Sequence, residues 1–196
     1  MRIVTLCGSH HSGSTNAIVL DEITRRLVRL GATVDPVDVS VDLPSFRPES
    51  VDQPPESVVV LRDAFGHADG VVVAVPEYAG GLPGWVKNIT DWMVGAAAFY
   101  ERPVAIASAA TAGGANAIEQ LVRTLTWQGA YVVATVGIAA PLTIVRDREL
   151  TDATAIARLH ELADLLAAVV TGERDIATAT EAALAPLGLD LSDRPD

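Results

Sequence analysis

The chain has 196 residues, 49% of them hydrophobic and 20% charged, a balance that buries one core and excludes a disordered or collagen-like protein. Lys and Arg number 14 against 25 Asp and Glu, a formal net charge of −11, so a nucleic-acid duplex or an anionic membrane surface is repelled at long range and neither is an expected partner. Cys7 is the single cysteine, which excludes an internal disulfide, and no apolar run reaches the roughly 18–20 residues that span a bilayer. The N-terminus enters a strand with no signal-peptide pattern, so a cytoplasmic location is expected.

Residues Arg2 to Cys7 form a β-rich run that Gly8-Ser9 ends, and Ala17, Ile18, Leu20, Ile23, Leu27 and Leu30 then recur at helical spacing over Asn16 to Leu30. Thr33 to Val41 alternates like a second strand, and Leu43 to Pro55 is proline-rich and irregular. A second helix is expected over Glu56 to His67. Val71 to Val75 is an uninterrupted β-branched run, the pattern of a strand buried on both faces of a parallel sheet. After the loop from Pro76 to Leu82, Pro83 stands where prolines open helices. The alternation continues with a strand from Pro103 to Ala109, a small-residue loop to Gly114, a helix from Ala115 to Thr126, a strand from Tyr131 to Val136 and a helix from Asp152 to Val170. Strands alternating with helices imply a doubly wound α/β sandwich: a five-stranded parallel sheet with helices on both faces, in one domain over residues 1–196. From Gly172 the tail carries an Ala-rich helical piece, Asp175 to Leu184, and a polar end expected to be loosely held.

Ligands of such sheets sit at the carboxyl ends of the strands, so three loops carry the function. The first, Gly8 to Asn16, places glycines, hydroxyls, an amide and His10-His11 before a helix N-terminus, where exposed N–H groups and the helix dipole favour an anion. Ser14 and Thr15 add hydroxyl donors, or one of them simply caps the helix. The spacing is neither a Walker pattern nor the dinucleotide GxGxxG fingerprint, which disfavours nucleoside triphosphates and a Rossmann-type NAD site. His10 and His11 lack companions at metal-ligand spacing, so no metal is expected. His67 and His160 read as helix-surface residues, and Cys7 as a buried thiol.

The second loop, from Pro76 to Asn88, has two consecutive glycines whose backbone can approach the edge of a flat heterocycle while Tyr78 borders it. Trp85, Trp92 and Phe99 are seven residues apart and form one stripe if the helix continues, read either as core packing or as a subunit interface. Lys87 is the only lysine, which points to an ion pair or an interface contact. A homodimer or homotetramer through the helix bearing Trp85, Lys87 and Trp92 is the expectation.

On these two loops the chain resembles the NAD(P)H-dependent FMN reductases of flavodoxin-like fold, whose motifs run approximately GSxRxxSxN and PEYNxSxPGxLKNxxDW. Here they stand as Gly8-Ser9-His10-His11-Ser12-Gly13-Ser14-Thr15-Asn16 and as the run from Pro76-Glu77-Tyr78-Ala79-Gly80-Gly81 to Asp91-Trp92. The resemblance implies FMN as cofactor and NAD(P)H as co-substrate. It places Ser9, His11, Ser14, Thr15 and Asn16 around the FMN phosphate, Pro76, Glu77, Tyr78, Ala79 and Gly80 along the isoalloxazine edge, and Ser108, Thr111 and Gly113 across the ring. His11 stands where the family has arginine, and Ala79 where it has asparagine. No residue is expected to act as acid, base or nucleophile, which suits chemistry carried by the flavin. The implied activity is hydride transfer from NAD(P)H through FMN to a small acceptor such as free flavin, a quinone, an azo compound or a metal oxyanion. A flavodoxin-like electron carrier and a non-redox phosphate-ligand binder are the alternatives.

Overall fold

The computed structural model describes residues 1–11, 13–37 and 43–194. Five strands, β1 (Arg2–Cys7), β2 (Thr33–Pro36), β3 (Gly70–Ala74), β4 (Pro103–Ala110) and β5 (Tyr131–Ala139), pair in parallel in the order β2-β1-β3-β4-β5. The described residues contain six α-helices, of which the last follows another helix and not a strand: α1 (Thr15–Arg29), α2 (Glu56–Gly66), α3 (Gly84–Val94), α4 (Ala115–Thr126), α5 (Ala153–Val170) and α6 (Ile176–Leu184). The expected five-stranded doubly wound sandwich is therefore present. Ser12 and the far end of the expected second strand, at Val41, lie outside the described residues.

Both faces of the sheet are buried at its centre because β1, β3 and β4 are buried at odd and even positions alike. Val72 of β3, Ile3 of β1 and Ala105 of β4 pack with Ile23 and Leu27 of α1 and Leu159 and Leu166 of α5. Val71 and Val73, one residue out of phase, pack on the other face with Phe65 of α2, Trp92 of α3 and Leu121 of α4. Ala179 joins the first cluster and Leu184 the second, so α6 lies along β5 and covers this edge strand.

Two expectations need correction, and one element was not foreseen. The helix bearing Trp85 and Trp92 stops at Val94, so Phe99 is not on its stripe; Phe99 sits in the following turns, with its ring 5.3 Å from Phe65. Trp92 and Phe99 are both core residues, each 1% exposed, and the Trp92 indole N–H donates to the Pro44 carbonyl at 2.8 Å. Trp92 thus has no surface to offer a second subunit. The polar tail is also held as far as Arg194, whose guanidinium donates to the Gly129 carbonyl and stacks 3.6 Å from the centre of the Tyr131 ring. Finally, β6 (Val145–Arg146) and β7 (Glu149–Leu150) form an antiparallel hairpin that no glycine or asparagine announces. Its two-residue turn, Asp147-Arg148, has φ of +49° and +65°.

Candidate active site

The chain reverses between β1, which pairs with β2 on one side and β3 on the other, so the loops after β1 and β3 open at the topological switch point of the sheet. Close packing draws them together. The Gly8 N–H donates to the Ala74 carbonyl at 2.6 Å, and a Cβ on Gly8 would lie 2.9 Å from both that oxygen and Pro76 Cδ. Only glycine permits this approach, and buried Pro76 is seated by it.

In the first loop Ser14 is the N-cap of α1, its hydroxyl accepting from the Ala17 N–H at 3.1 Å, with Thr15 half-buried as the first helical residue. Ser9 is buried and its hydroxyl accepts a long 3.4 Å bond from the His11 N–H. Exposed His11 turns back on the loop, Nδ1 accepting from the Gly13 N–H at 3.2 Å. His10 leaves the loop to lie against Trp85 of α3, ring centres 4.3 Å apart and planes tilted by 42°. The amides of the first turn of α1 have no intrahelical partner, and that turn carries no acidic residue, so the helix dipole there is unopposed.

In the second loop the Tyr78 N–H donates to the Gly81 carbonyl at 3.1 Å and the Gly81 N–H returns a bond to Tyr78 at 3.0 Å. Ala79 and Gly80 therefore form a two-residue turn with φ of +51° and +73°, which thrusts their backbone into solvent beside exposed Tyr78. Gln120 of α4 braces this turn by accepting from the Leu82 N–H at 2.9 Å. In the third loop Gly113 has φ +86°, and its carbonyl packs where a Cβ on Gly137 would come within 2.3 Å. Exposed Thr111 accepts from the Ala140 N–H through its carbonyl at 3.2 Å.

Two of the expected site residues, Asn16 and Glu77, hold the scaffold through their side chains, and a third, Ser108, is buried within it. The Asn16 amide is buried and bonded to the Ala109 backbone. The Glu77 carboxylate accepts from the Asn116 and Ala117 N–H groups at 2.9 and 3.2 Å, capping α4, so it ties the second loop to the start of that helix. Ser108 is fully buried beneath Gly114, where a Cβ would come within 1.9 Å of its oxygen, and the hydroxyl has no partner among the described residues. Lys87, solitary in the sequence, pairs with Asp91 one turn on. Burial pushes the Cys7 thiol up, outweighing hydrogen bonds from Ser9 and Ser14, which suits an inert wall residue.

The supporting residues Asn116 and Gln120 were not foreseen, since each reads as an ordinary polar residue on a helix. Nor was Arg148, which the β6–β7 hairpin carries back to the first loop: its Nη1 lies 3.8 Å from the Cβ position of Gly13. An Asp-Arg pair carries no hairpin signal in sequence.

A 2-1-3-4-5 parallel sheet with an anion-favouring loop and a protruding backbone turn at its switch point defines the flavodoxin-like class of mononucleotide-binding α/β proteins. Within that class the chain belongs to the NADPH-dependent FMN reductase family, whose model matches residues 1–142. It is 31% identical over 110 residues to the NADH:(hydroxy)cinnamate reductase subunit CrdA of Vibrio ruber, covering 56% of this chain and 54% of that one. It is 30% identical over 95 residues to a quinone reductase of Escherichia coli K12, covering 47% of this chain and 50% of that protein. The chain thus spans about half the length of the curated relatives it matches. Among solved structures, the flavoenzyme NAD(P)H:(acceptor) oxidoreductase FerB from Paracoccus denitrificans superposes with a TM-score of 0.70 at 24% identity, over 87% of this chain and 97% of that one. An azoreductase from Bacillus anthracis gives 0.63 at 16% identity, over 85% and 99%. At these identities the likeness is one of fold.

Proposed function

We propose that the chain holds FMN at the carboxyl edge of its sheet and takes hydride from NAD(P)H for delivery to a small acceptor, a quinone, azo compound, free flavin or metal oxyanion. The observation that carries this reading is the knitting of the three loops into one rim by Gly8 on Ala74, His10 on Trp85 and Glu77 on Asn116, within a chain of the FMN reductase family.

The residues present fit the cofactor. The first turn of α1, with the Ser14 and Thr15 hydroxyls, Ser9 and His11, makes a cradle of donors for a phosphate without an opposing carboxylate in that turn. The protruding Ala79-Gly80 backbone beside Tyr78 and the close-packed Gly113 loop give two walls for a flat ring. Bound FMN supplies the hydride-accepting ring chemistry. The protein's share is to orient: Asn16, Glu77 and Gln120 fix the spacing of the loops, and the small residues Ala79, Gly80 and Gly113 leave a ring face open to a second planar molecule.

Self-association through the exposed side of α3, with Trp85 and Lys87, and a cytosolic location belong to the same reading. Among the described residues no helix is long and apolar enough to cross a membrane. Sedimentation of Trp85→Ala tests the first, an unchanged mass counting against that surface.

Anaerobic addition of NADPH to FMN-loaded protein tests the function. Bleaching of the oxidised-flavin absorption, restored by a quinone, is expected. A flavin that binds but stays oxidised under NADPH defines an electron carrier, and protein with no preference for FMN over other phosphates defines a binding module.

A further inference from the structure

The first loop, from Gly8 to Asn16, contains no lysine or arginine, and the whole chain sets 25 acidic residues against 14 basic ones. A phosphate dianion in that loop is met by dipoles and hydroxyls, and an arginine or lysine beside it can come only from another part of the fold. We propose that Arg148 is that cation: a phosphate-binding residue delivered from outside the family's sequence motifs by the β6–β7 hairpin. The inference rests on the flavin reading above and adds to it a residue beyond the matched span of the family model, residues 1–142.

Two independent observations carry it. The first is position. A Cβ on Gly13 would lie 3.0 Å from His11 Cε1, 3.4 Å from His11 Nδ1 and 3.8 Å from Arg148 Nη1, so imidazole and guanidinium converge on one glycine, immediately before the N-cap of α1. His11 Nδ1 is engaged there as an acceptor for the Gly13 N–H, and the guanidinium adds a positive charge and paired donors beside it. A planar guanidinium matches phosphate oxygens two at a time, and it keeps its charge at any pH the protein meets.

The second is strain. Asp147 and Arg148 are the central pair of the turn, with φ of +49° and +65°, values that glycine or asparagine adopts freely and arginine does not. The turn is exposed. The hairpin beneath it is well anchored: Val145 pairs with Leu150, Leu150 is buried in the core, and the Thr151 N–H donates to the Ile144 carbonyl at 2.8 Å. A long cationic side chain kept at a strained position on an anchored base is the arrangement of a residue retained for what it touches.

The test compares FMN with riboflavin, which has the same ring and no phosphate, each titrated into flavin-free protein and followed by fluorescence quenching. Arg148→Ala is expected to weaken FMN binding by about tenfold or more while leaving riboflavin affinity unchanged, and Arg148→Lys to fall between. Arg148→Gly separates charge from structure: glycine accepts φ +65°, so its Tm should equal or exceed that of the native protein while its FMN affinity falls as in Arg148→Ala. FMN affinity unchanged in Arg148→Ala and Arg148→Gly overturns the proposal, as does an equal loss for FMN and riboflavin, which would make the hairpin a structural wall. Native protein that binds neither flavin refutes the flavin reading itself, a result distinct from either of these.

Discussion

The Asn16 side chain completes the sheet where β3 has ended. The β3–β4 pairing stops at Ala74 opposite Ala107, and two residues further along β4 the Ala109 backbone has no strand on that side. Asn16 fills the gap from the start of α1, its Nδ2 donating to the Ala109 carbonyl at 3.0 Å and its Oδ1 accepting from the Ala109 N–H at 2.9 Å. The amide thereby locks the first loop to the strand that leads into the third. Asn16→Ala leaves two buried backbone groups unpaired, for an expected loss of about 2–4 kcal/mol. Urea unfolding measures it, and a loss below about 1 kcal/mol would mean that water takes the amide's place.

Ala79 predicts the opposite sign. Its φ of +51° costs an L-residue about 1–2 kcal/mol, and the side chain is exposed, so nothing is gained from the methyl group. Ala79→Gly should raise stability by about 0.5–1 kcal/mol after the added freedom of the unfolded chain is counted. The urea midpoint should rise at constant slope, with FMN affinity preserved because the turn's backbone is unchanged; a lowered midpoint would show that the turn relaxes when Ala79 is free to do so.

Trp92 bears on the subunit question. Buried at 1% exposure, edge-on to Phe46 at 5.2 Å and bonded through its indole N–H to Pro44, it pins the irregular segment that runs from Leu43 toward α2. Trp92→Ala should therefore cost about 3–5 kcal/mol and loosen that segment to proteolysis, without a specific change in subunit number. A variant of native stability and altered mass would return Trp92 to an interface.

The elements of this fold were legible where one physical signal dominated. Arg2 to Cys7 and Ala115 to Thr126 show their bounds in the chain because a β-branched run and a 3.6-residue apolar period stop at glycine or at a polar turn. The seven-residue spacing of Trp85, Trp92 and Phe99 misled because spacing cannot show that the chain leaves the helix at Gly95. At the site, the loops could be located but not the direction of their side chains. Asn16 turns to the Ala109 backbone of β4, Glu77 to the first amides of α4, and Ser108 is buried, and each of these placements depends on elements that only the fold brings together. Arg148 was hidden for the converse reason, since its relation to Gly13 spans most of the chain and follows from the path of a hairpin with no turn signature.

The pairing of α1 with α5 predicts a pH dependence remote from the flavin site. Glu22 is buried and bonded to Arg25 and, at 2.7 Å, to His160 Nε2, with Arg29 3.8 Å away, so half-exposed His160 on α5 is a partner of Glu22. Burial pushes the Glu22 carboxyl up, but the hydrogen bonds from Arg25 and His160 together outweigh it and hold the group below the usual glutamate value. A carboxyl whose folded pKa lies below its unfolded one, about 4.3, contributes stability that is complete above that value and is lost as pH falls through the folded pKa. Glu22→Gln removes the charge and leaves Arg25, Arg29 and His160 facing one another, so it should destabilise the protein at neutral pH. The gap from native protein should close as the pH is lowered past about 4. Thermal unfolding of both proteins across the acid range measures the gap, and curves that stay parallel would show that Glu22 acts there through packing and not through its charge.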